Sequence, residues 1–150
     1  MSRKIQNDPG LSILLIEEVS GAIAGRLVDR IGDLTRSSVV DGLAVLAAKR
    51  PAVVLFCMES YSVLNLGLVT AISGLDARRP LILIGSHIES SQILPFLDAG
   101  GTDFLVGDAL APDVLDQMCK RKGNQYRKLR VQTRTLNRRQ MAVENLQDSL

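Results

Sequence analysis

The chain has 150 residues, of which 46% are apolar and 23% charged, and this predicts one globular domain large enough to bury a core. The longest uncharged stretch, residues 60–75, is shorter than the roughly 20 apolar residues of a membrane span, and the N-terminus lacks a signal peptide's apolar segment. With 3% aromatic residues and no Trp, base-stacking surfaces are scarce. We therefore predict a soluble cytoplasmic protein.

Short apolar runs alternate with amphipathic stretches from residue 11 to residue 122. Apolar runs predict four strands, over Ser12 to Ile16, Ala52 to Phe56, Leu81 to Ile84, and Thr102 to Val106, and a fifth, weak strand is expected near Asp33 to Ser37. The amphipathic stretches predict helices over Ser20 to Ile31, Asp41 to Lys49, Val63 to Leu75, a short segment ending at Ala99, and a final helix from about Pro112. This alternation predicts an α/β fold with a doubly wound parallel sheet between two layers of helices.

In such sheets, the functional residues lie at the carboxyl ends of the strands. The residues found there are Glu17 and Glu18 after the first strand, Cys57 after the third, Gly85-Ser86-His87 after the fourth, and Gly107-Asp108 after the fifth. Cys57 and Cys119 are 62 positions apart, one in an apolar run and the other in a helical pattern, so we interpret both as reduced thiols rather than a disulfide or a metal-ligand pair.

This layout resembles the receiver domain of bacterial response regulators, a CheY-like fold with strand order 2-1-3-4-5. The segment Ile13 to Glu18 resembles the family's opening strand and its metal-binding acidic pair, and Pro80 to Ser86 resembles its fourth strand. Ala99 to Val106 is similar to the segment that leads to the family's lysine, and the segment from Ser37 to Cys57 aligns with the family without a gap. The resemblance implies a signalling domain over about residues 11 to 122.

The sequence departs from this family at the positions that perform its chemistry. The resemblance implies a phosphate-accepting carboxylate after the third strand, a Ser or Thr after the fourth and a Lys after the fifth, where this chain has Cys57, Gly85 and Gly107. A thiol lacks the second oxygen with which a carboxylate also binds metal, and without the lysine the phosphate charge is not neutralised. We therefore predict a degenerate receiver that is not phosphorylated, and no useful Mg²⁺ binding by Glu17 and Glu18.

Two alternatives remain open at this edge. In the first, the chain is a response regulator phosphorylated at a non-standard residue. In the second and weaker hypothesis, it is a cysteine-dependent enzyme in which His87 serves as the base for Cys57. A cysteine that ends an apolar strand is more often a small packing residue. We therefore predict no enzymatic activity.

Three residues of the body are candidate interface positions. Leu66 projects from the predicted third helix on the side opposite its core face, which is formed by Leu64, Leu68, Ala71, Ile72 and Leu75. Pro95 and Phe96 lie in a segment that the family uses for dimer or effector contacts, and an interior proline predicts a short or kinked helix there. Isolated apolar residues on the surface are the simpler interpretation.

The last 25 residues carry a heptad pattern that predicts a helical dimerisation segment. One seam position is regularly apolar, with Leu129, Leu136, Val143 and Leu150, and the other is occupied by Tyr126, Thr133, Gln140 and Gln147. Gly123-Asn124 either ends the preceding helix or acts as a hinge. We thus divide the chain into a tail (1–10), a receiver-like domain (11–122) and a helical signalling segment (123–150), which forms a coiled coil or packs on its own domain.

The charges are distributed unevenly along the chain. Residues 120–139 contain nine basic side chains and no acidic one, while the rest carries nine basic against 16 acidic side chains, a net charge of −7. Without a helix-turn-helix, zinc finger or aromatic platform, this basic stretch does not predict nucleic-acid binding. We predict a non-catalytic pseudo-receiver of two-component signalling that dimerises, contacts protein partners and passes a signal to an output module through its C-terminal helix.

Overall fold

A computed structural model describes residues 11–17, 33–58 and 66–148, with side chains described as far as residue 142. The predicted tail 1–10, the helix expected over Ser20 to Ile31, and Glu18 lie outside the described residues.

Five parallel strands form one sheet: β1 Ser12–Glu17, β2 Asp33–Ser38, β3 Val53–Cys57, β4 Leu81–Gly85 and β5 Asp103–Val106. Their order is β2-β1-β3-β4-β5, so the predicted fold class and strand order are confirmed. The three central strands consist of apolar residues with few interruptions, because both of their faces are covered. β2 is polar and partly exposed, and it lies at an edge of the sheet.

The described residues contain four α-helices: α1 Gly42–Lys49, α2 Leu66–Leu75, α3 Ser90–Asp98 and α4 Pro112–Asp148, with a single 3₁₀ turn at Gly107–Ala109. Residues of α1, α2 and α3 pack with alternate strand residues in one buried cluster, and residues of α4 pack with the others in a second cluster. The sheet therefore has helices on both faces, as predicted. No helix in these ranges is long and apolar enough to cross a membrane.

The α3 helix is short and contains Pro95, in agreement with the prediction. The Glu89 N–H donates to Gln92 Oε1 at 3.3 Å at the start of the helix, and the Ala99 N–H donates to the Pro95 carbonyl at 3.0 Å at its end. The prediction that Phe96 belongs to an interface is wrong, because its side chain is fully buried in the cluster beneath α3.

The core face of α2 differs from the prediction at two positions. Val69, expected at the side of the helix, is fully buried, whereas Leu75, expected on the core face, is 63% exposed. Leu75 is the last residue of the helix and lies next to the turn that leads to β4, so the core no longer covers it.

The α4 helix continues without a break through Gly123, so the predicted boundary between residues 122 and 123 lies inside one helix. A Cβ at Gly123 would come 3.1 Å from Val53 Cγ2 and would also contact Leu11, which shows how closely the helix approaches the sheet here. Three residues further on, Tyr126 is 2% exposed and belongs to the core.

Candidate functional site

Glu17 ends β1 and lies opposite Ser38 of β2 and Cys57 of β3 at the carboxyl edge of the sheet. Its side chain is 5% exposed, and Arg36 Nη1 donates a hydrogen bond to Oε1 at 2.9 Å. The other oxygen, Oε2, is buried and has no hydrogen-bond partner among the described residues. The guanidinium of Arg36 thus supplies the counter-charge that a buried carboxylate requires.

Cys57 ends β3 with its side chain 1% exposed. It belongs to the buried cluster on the α4 side of the sheet, together with Leu55, Ile84 and Leu105. His87, the base considered for a cysteine-dependent enzyme, is exposed. A nucleophilic thiol must be accessible to its substrate, so the burial of Cys57 favours a packing role.

Gly85 ends β4 and leaves no space for a side chain. A Cβ built at this position would lie 2.6 Å from the Met58 carbonyl oxygen and would overlap the side chain of Ile88. The serine or threonine of an active receiver would therefore require the backbone after β3 to move. Close local packing thus accounts for the lack of a hydroxyl-bearing side chain at this position.

Gly107 follows β5 and adopts φ +60°, a left-handed conformation that side-chain-bearing residues rarely adopt. A Cβ here would meet only the Ser86 carbonyl oxygen, at 3.8 Å, so space is available. A lysine at this position would be disfavoured by backbone conformation rather than by crowding.

The described residues at this edge supply only part of a Mg²⁺ site of the receiver type. Hard cations prefer oxygen ligands, but the third-strand position is a thiol and one oxygen of Glu17 is already paired with Arg36. The described ranges contain no group of three or more His, Cys, Asp or Glu that could hold a metal ion. Glu18, the second residue of the predicted acidic pair, lies outside them.

A polar network that the sequence predictions do not include lies at the opposite, amino edge of the sheet. The Tyr126 hydroxyl donates to Asp76 Oδ2 at 2.6 Å, and Arg78 Nη1 donates to Thr133 Oγ1 at 2.6 Å. The Lys122 ammonium lies 3.2 Å from the Asp103 carboxylate at the start of β5. These contacts fix α4 to the turn before β4 and to β5.

Two arginines flank the ring of Tyr126 in this network. The guanidinium carbons of Arg79 and Arg130 each lie 5.7 Å from the ring centroid. Arg79 Nε also donates to the Pro51 carbonyl oxygen at 2.9 Å, which fixes the orientation of its guanidinium.

Three side chains have shifted pKa values: two belong to this network, and the third is the buried thiol of Cys119. Burial raises the pKa of Asp76, but the hydrogen bond from Tyr126 and the contacts with Arg78 and Arg79 outweigh it, so the pKa is lowered overall. Burial and the hydrogen bond to Asp76 raise the pKa of Tyr126. Burial and the neighbouring Asp116 raise the pKa of Cys119 to about 12.

The remaining candidate interface residues are at least partly exposed where they are described, and Pro95 is half-buried. Leu66 is 38% exposed, Leu129 43% and Leu136 62%. The side chains of Val143 and Leu150 lie outside the described residues.

No protein-family model and no curated protein matches the sequence. Among solved structures, a protein from Burkholderia pseudomallei described as pilus assembly-related is 22% identical, covers 77% of this chain and 91% of its own, and has a TM-score of 0.58. A CheY-like receiver domain protein from Methanospirillum hungatei is 15% identical, with 78% and 96% covered and a TM-score of 0.63. NtrX from Brucella abortus with ADP is 18% identical over 86% of this chain but only 29% of its own, with a TM-score of 0.66. The chain therefore has the fold of a response-regulator receiver domain.

Proposed function

We propose that this chain is a non-catalytic pseudo-receiver that acts in two-component-type signalling through contacts with protein partners. In this proposal it forms a homodimer and passes a signal to an output module through α4. The packing of the carboxyl edge is the observation that carries the proposal.

Each position that would perform phosphoryl chemistry at this edge is occupied in another way. Cys57 is buried in the core, Gly85 has no room for a hydroxyl-bearing side chain, and Gly107 has a backbone that disfavours lysine. Arg36 neutralises Glu17 from within the protein. These features support a domain that neither accepts a phosphoryl group nor uses Mg²⁺.

Acetyl phosphate and beryllofluoride test this part of the proposal. The full chain would be incubated with each reagent and Mg²⁺, and intact mass and amide chemical shifts would be compared with those of an active receiver treated in parallel. We expect no phosphoryl adduct and no shift changes at residues 57, 85 and 107. An adduct in this chain would favour the alternative of a regulator phosphorylated at a non-standard residue.

The exposed part of α4 supports dimerisation. Every side chain from Arg134 to Ala142 is exposed, including Leu136 and Met141, and a helix that packs on nothing is only marginally stable in water. Two positions of the predicted polar seam, Tyr126 and Thr133, contact the chain's own domain. We therefore place the dimer seam on the Leu129 and Leu136 side of the helix, continuing toward Val143 and Leu150.

Sedimentation velocity with a matched pair of variants tests the seam. Leu136→Lys should convert a dimer into a monomer at micromolar concentration, because it places a charge in the apolar seam. Val131→Lys introduces the same charge at a site that is 61% exposed and turned away from Leu136, and it should leave the dimer intact. A wild-type chain that remains monomeric at high micromolar concentration would remove the dimer from the proposal.

The pilus assembly-related neighbour supports a second setting for the same mechanism. In that setting the pseudo-receiver contacts components of a surface-assembly machine instead of a transcriptional output. Deleting the coding sequence in its host and counting surface pili distinguishes the two. Unchanged pili together with altered transcription would reject the assembly setting.

A further inference from the structure

A cavity of about 320 Å³ lies at the amino edge of the sheet, on the opposite side from the receiver-type edge. Its walls come from the end of α1, the end of α2, the turn before β4 and the middle of α4. Leu46, Ala47 and Leu75 form its apolar part. Because α4 contributes one wall, a ligand that fills this cavity contacts both the body of the domain and the middle of α4.

The charged residues of the cavity are strongly unbalanced. Arg50, Arg79 and Arg130 line it together with one carboxylate, that of Asp76. Asp76 already accepts hydrogen bonds from the Tyr126 hydroxyl and from a backbone N–H. Within the described part of the chain, none of the three arginines forms a salt bridge with an acidic side chain.

Two of these guanidinium groups are already positioned without a ligand. The Tyr126 ring is buried and lies beside both Arg79 and Arg130, and the bond to the Pro51 carbonyl restricts Arg79 further. Arg50 follows α1 in a left-handed conformation, with its N–H bonded to the Leu46 carbonyl. Guanidinium groups form paired hydrogen bonds that match phosphate oxygens, and prior positioning reduces the entropy cost of binding.

We propose that this cavity binds a small soluble molecule carrying a phosphate-type oxyanion, held by Arg50, Arg79 and Arg130. The apolar residues contact the uncharged part of the ligand. The Tyr126 ring does not stack on the ligand, because it is 2% exposed and already lies beside two cations. Occupancy of the cavity stabilises the contact between α4 and the domain body, so the ligand acts on the helix that carries the dimer seam.

Calorimetry with inorganic pyrophosphate tests the site on the full chain. We expect saturable binding that weakens with added salt, and a loss of about tenfold or more in affinity for Arg130→Gln. Arg138→Gln is the matched control, because it removes the same charge from the same helix about 12 Å further along, on an exposed turn. This control should bind pyrophosphate with unchanged affinity.

Several results would overturn the proposal. If both variants lowered the affinity for pyrophosphate equally, the binding would be a non-specific response to the basic helix. If pyrophosphate did not bind at millimolar concentration, the cavity would not be a phosphate-type oxyanion site. Binding to phosphatidic acid vesicles without binding to pyrophosphate would replace the small molecule with a lipid surface. The circular dichroism spectrum of Arg130→Gln establishes that the variant is folded, and Arg79→Gln provides a second test of the same cavity.

Discussion

The two edges of the sheet differ in how they use polar residues. At the carboxyl edge, Glu17 is paired internally, Cys57 is buried, and Gly85 is covered by Ile88. At the amino edge, Tyr126 and the arginines around it form a hydrogen-bonded and charged network. The comparison teaches that the carboxyl edge is closed by packing and one ion pair, whereas the described polar contacts that hold α4 lie at the amino edge.

Tyr126→Ala should have the largest effect, because it removes a buried ring and the hydrogen bond to Asp76 together. We expect a loss of about 3–5 kcal/mol in the free energy of unfolding, by analogy with other truncations of buried aromatic residues. Urea denaturation measures this loss. Lys128→Ala, an exposed substitution on the same helix, should change stability by less than about 0.5 kcal/mol. Equal effects would show that the amino-edge network does not hold α4.

Gly85→Ala tests whether the carboxyl edge is tightly packed. The added methyl group would contact the Met58 carbonyl and Ile88, so we expect a loss of about 1–3 kcal/mol in urea denaturation. Gly74→Ala is the matched control in α2, because a Cβ there meets nothing within 4 Å. The control should gain about 0.5–1 kcal/mol from improved helix propensity. A stable Gly85→Ala variant would mean that this edge can accept a side chain after all.

Tyr126→Phe separates the hydrogen bond from the packing of the ring. The loss of the bond to Asp76 should cost about 1–2 kcal/mol near neutral pH. Because the pKa of Asp76 is lowered in the folded protein, its contribution is present above the ordinary value of 3.8 and is lost as the pH falls through the folded pKa. The stability difference between wild type and variant should therefore shrink below about pH 4. A difference that does not change with pH would assign the effect to packing alone.

Cys119→Ala should have the smallest effect near neutral pH, because it removes a single buried sulfur atom, and it should also change how stability depends on pH in alkaline solution. A thiol whose pKa is raised to about 12 contributes stability that is complete below its ordinary pKa of 9.0 and is lost as the pH rises from there. The variant should therefore lose stability less steeply than wild type between pH 9 and 11. Thermal unfolding across this range measures the slope. Identical slopes would show that Cys119 does not titrate in this way.

The sequence predicted the sheet well because its signals are local. Uninterrupted apolar runs marked β1, β3 and β4, whereas the polar edge strand β2 was predicted only as a weak strand near residues 33–37. Pro95 correctly indicated a short helix. By contrast, Phe96 and Leu75 were assigned to the wrong environments, since the burial of a helical residue depends on which element lies opposite it.

The candidate site was predictable in position but not in structure. Counting along the chain placed Cys57, Gly85 and Gly107 at strand ends, but the pairing of Arg36 with Glu17 joins different strands and no local pattern indicates it. The heptad pattern assigns Tyr126 to the seam. Its spacing from Leu115 and Cys119 places all three on one helical face, and following that period through Gly123 would have predicted its burial.

The uninterrupted course of α4 through Gly123 has a mechanical consequence. From Tyr126 to Asp148 the helix is about 33 Å long, so a tilt of about 5° at its base displaces the far end by roughly 3 Å. Because the helix has no break between Tyr126 and Leu136, the packing of Tyr126 against the sheet sets the direction in which Leu136 projects from the helix axis. Held in the dimer proposed above, the helix would thus act as a stiff lever whose pivot lies at the amino edge.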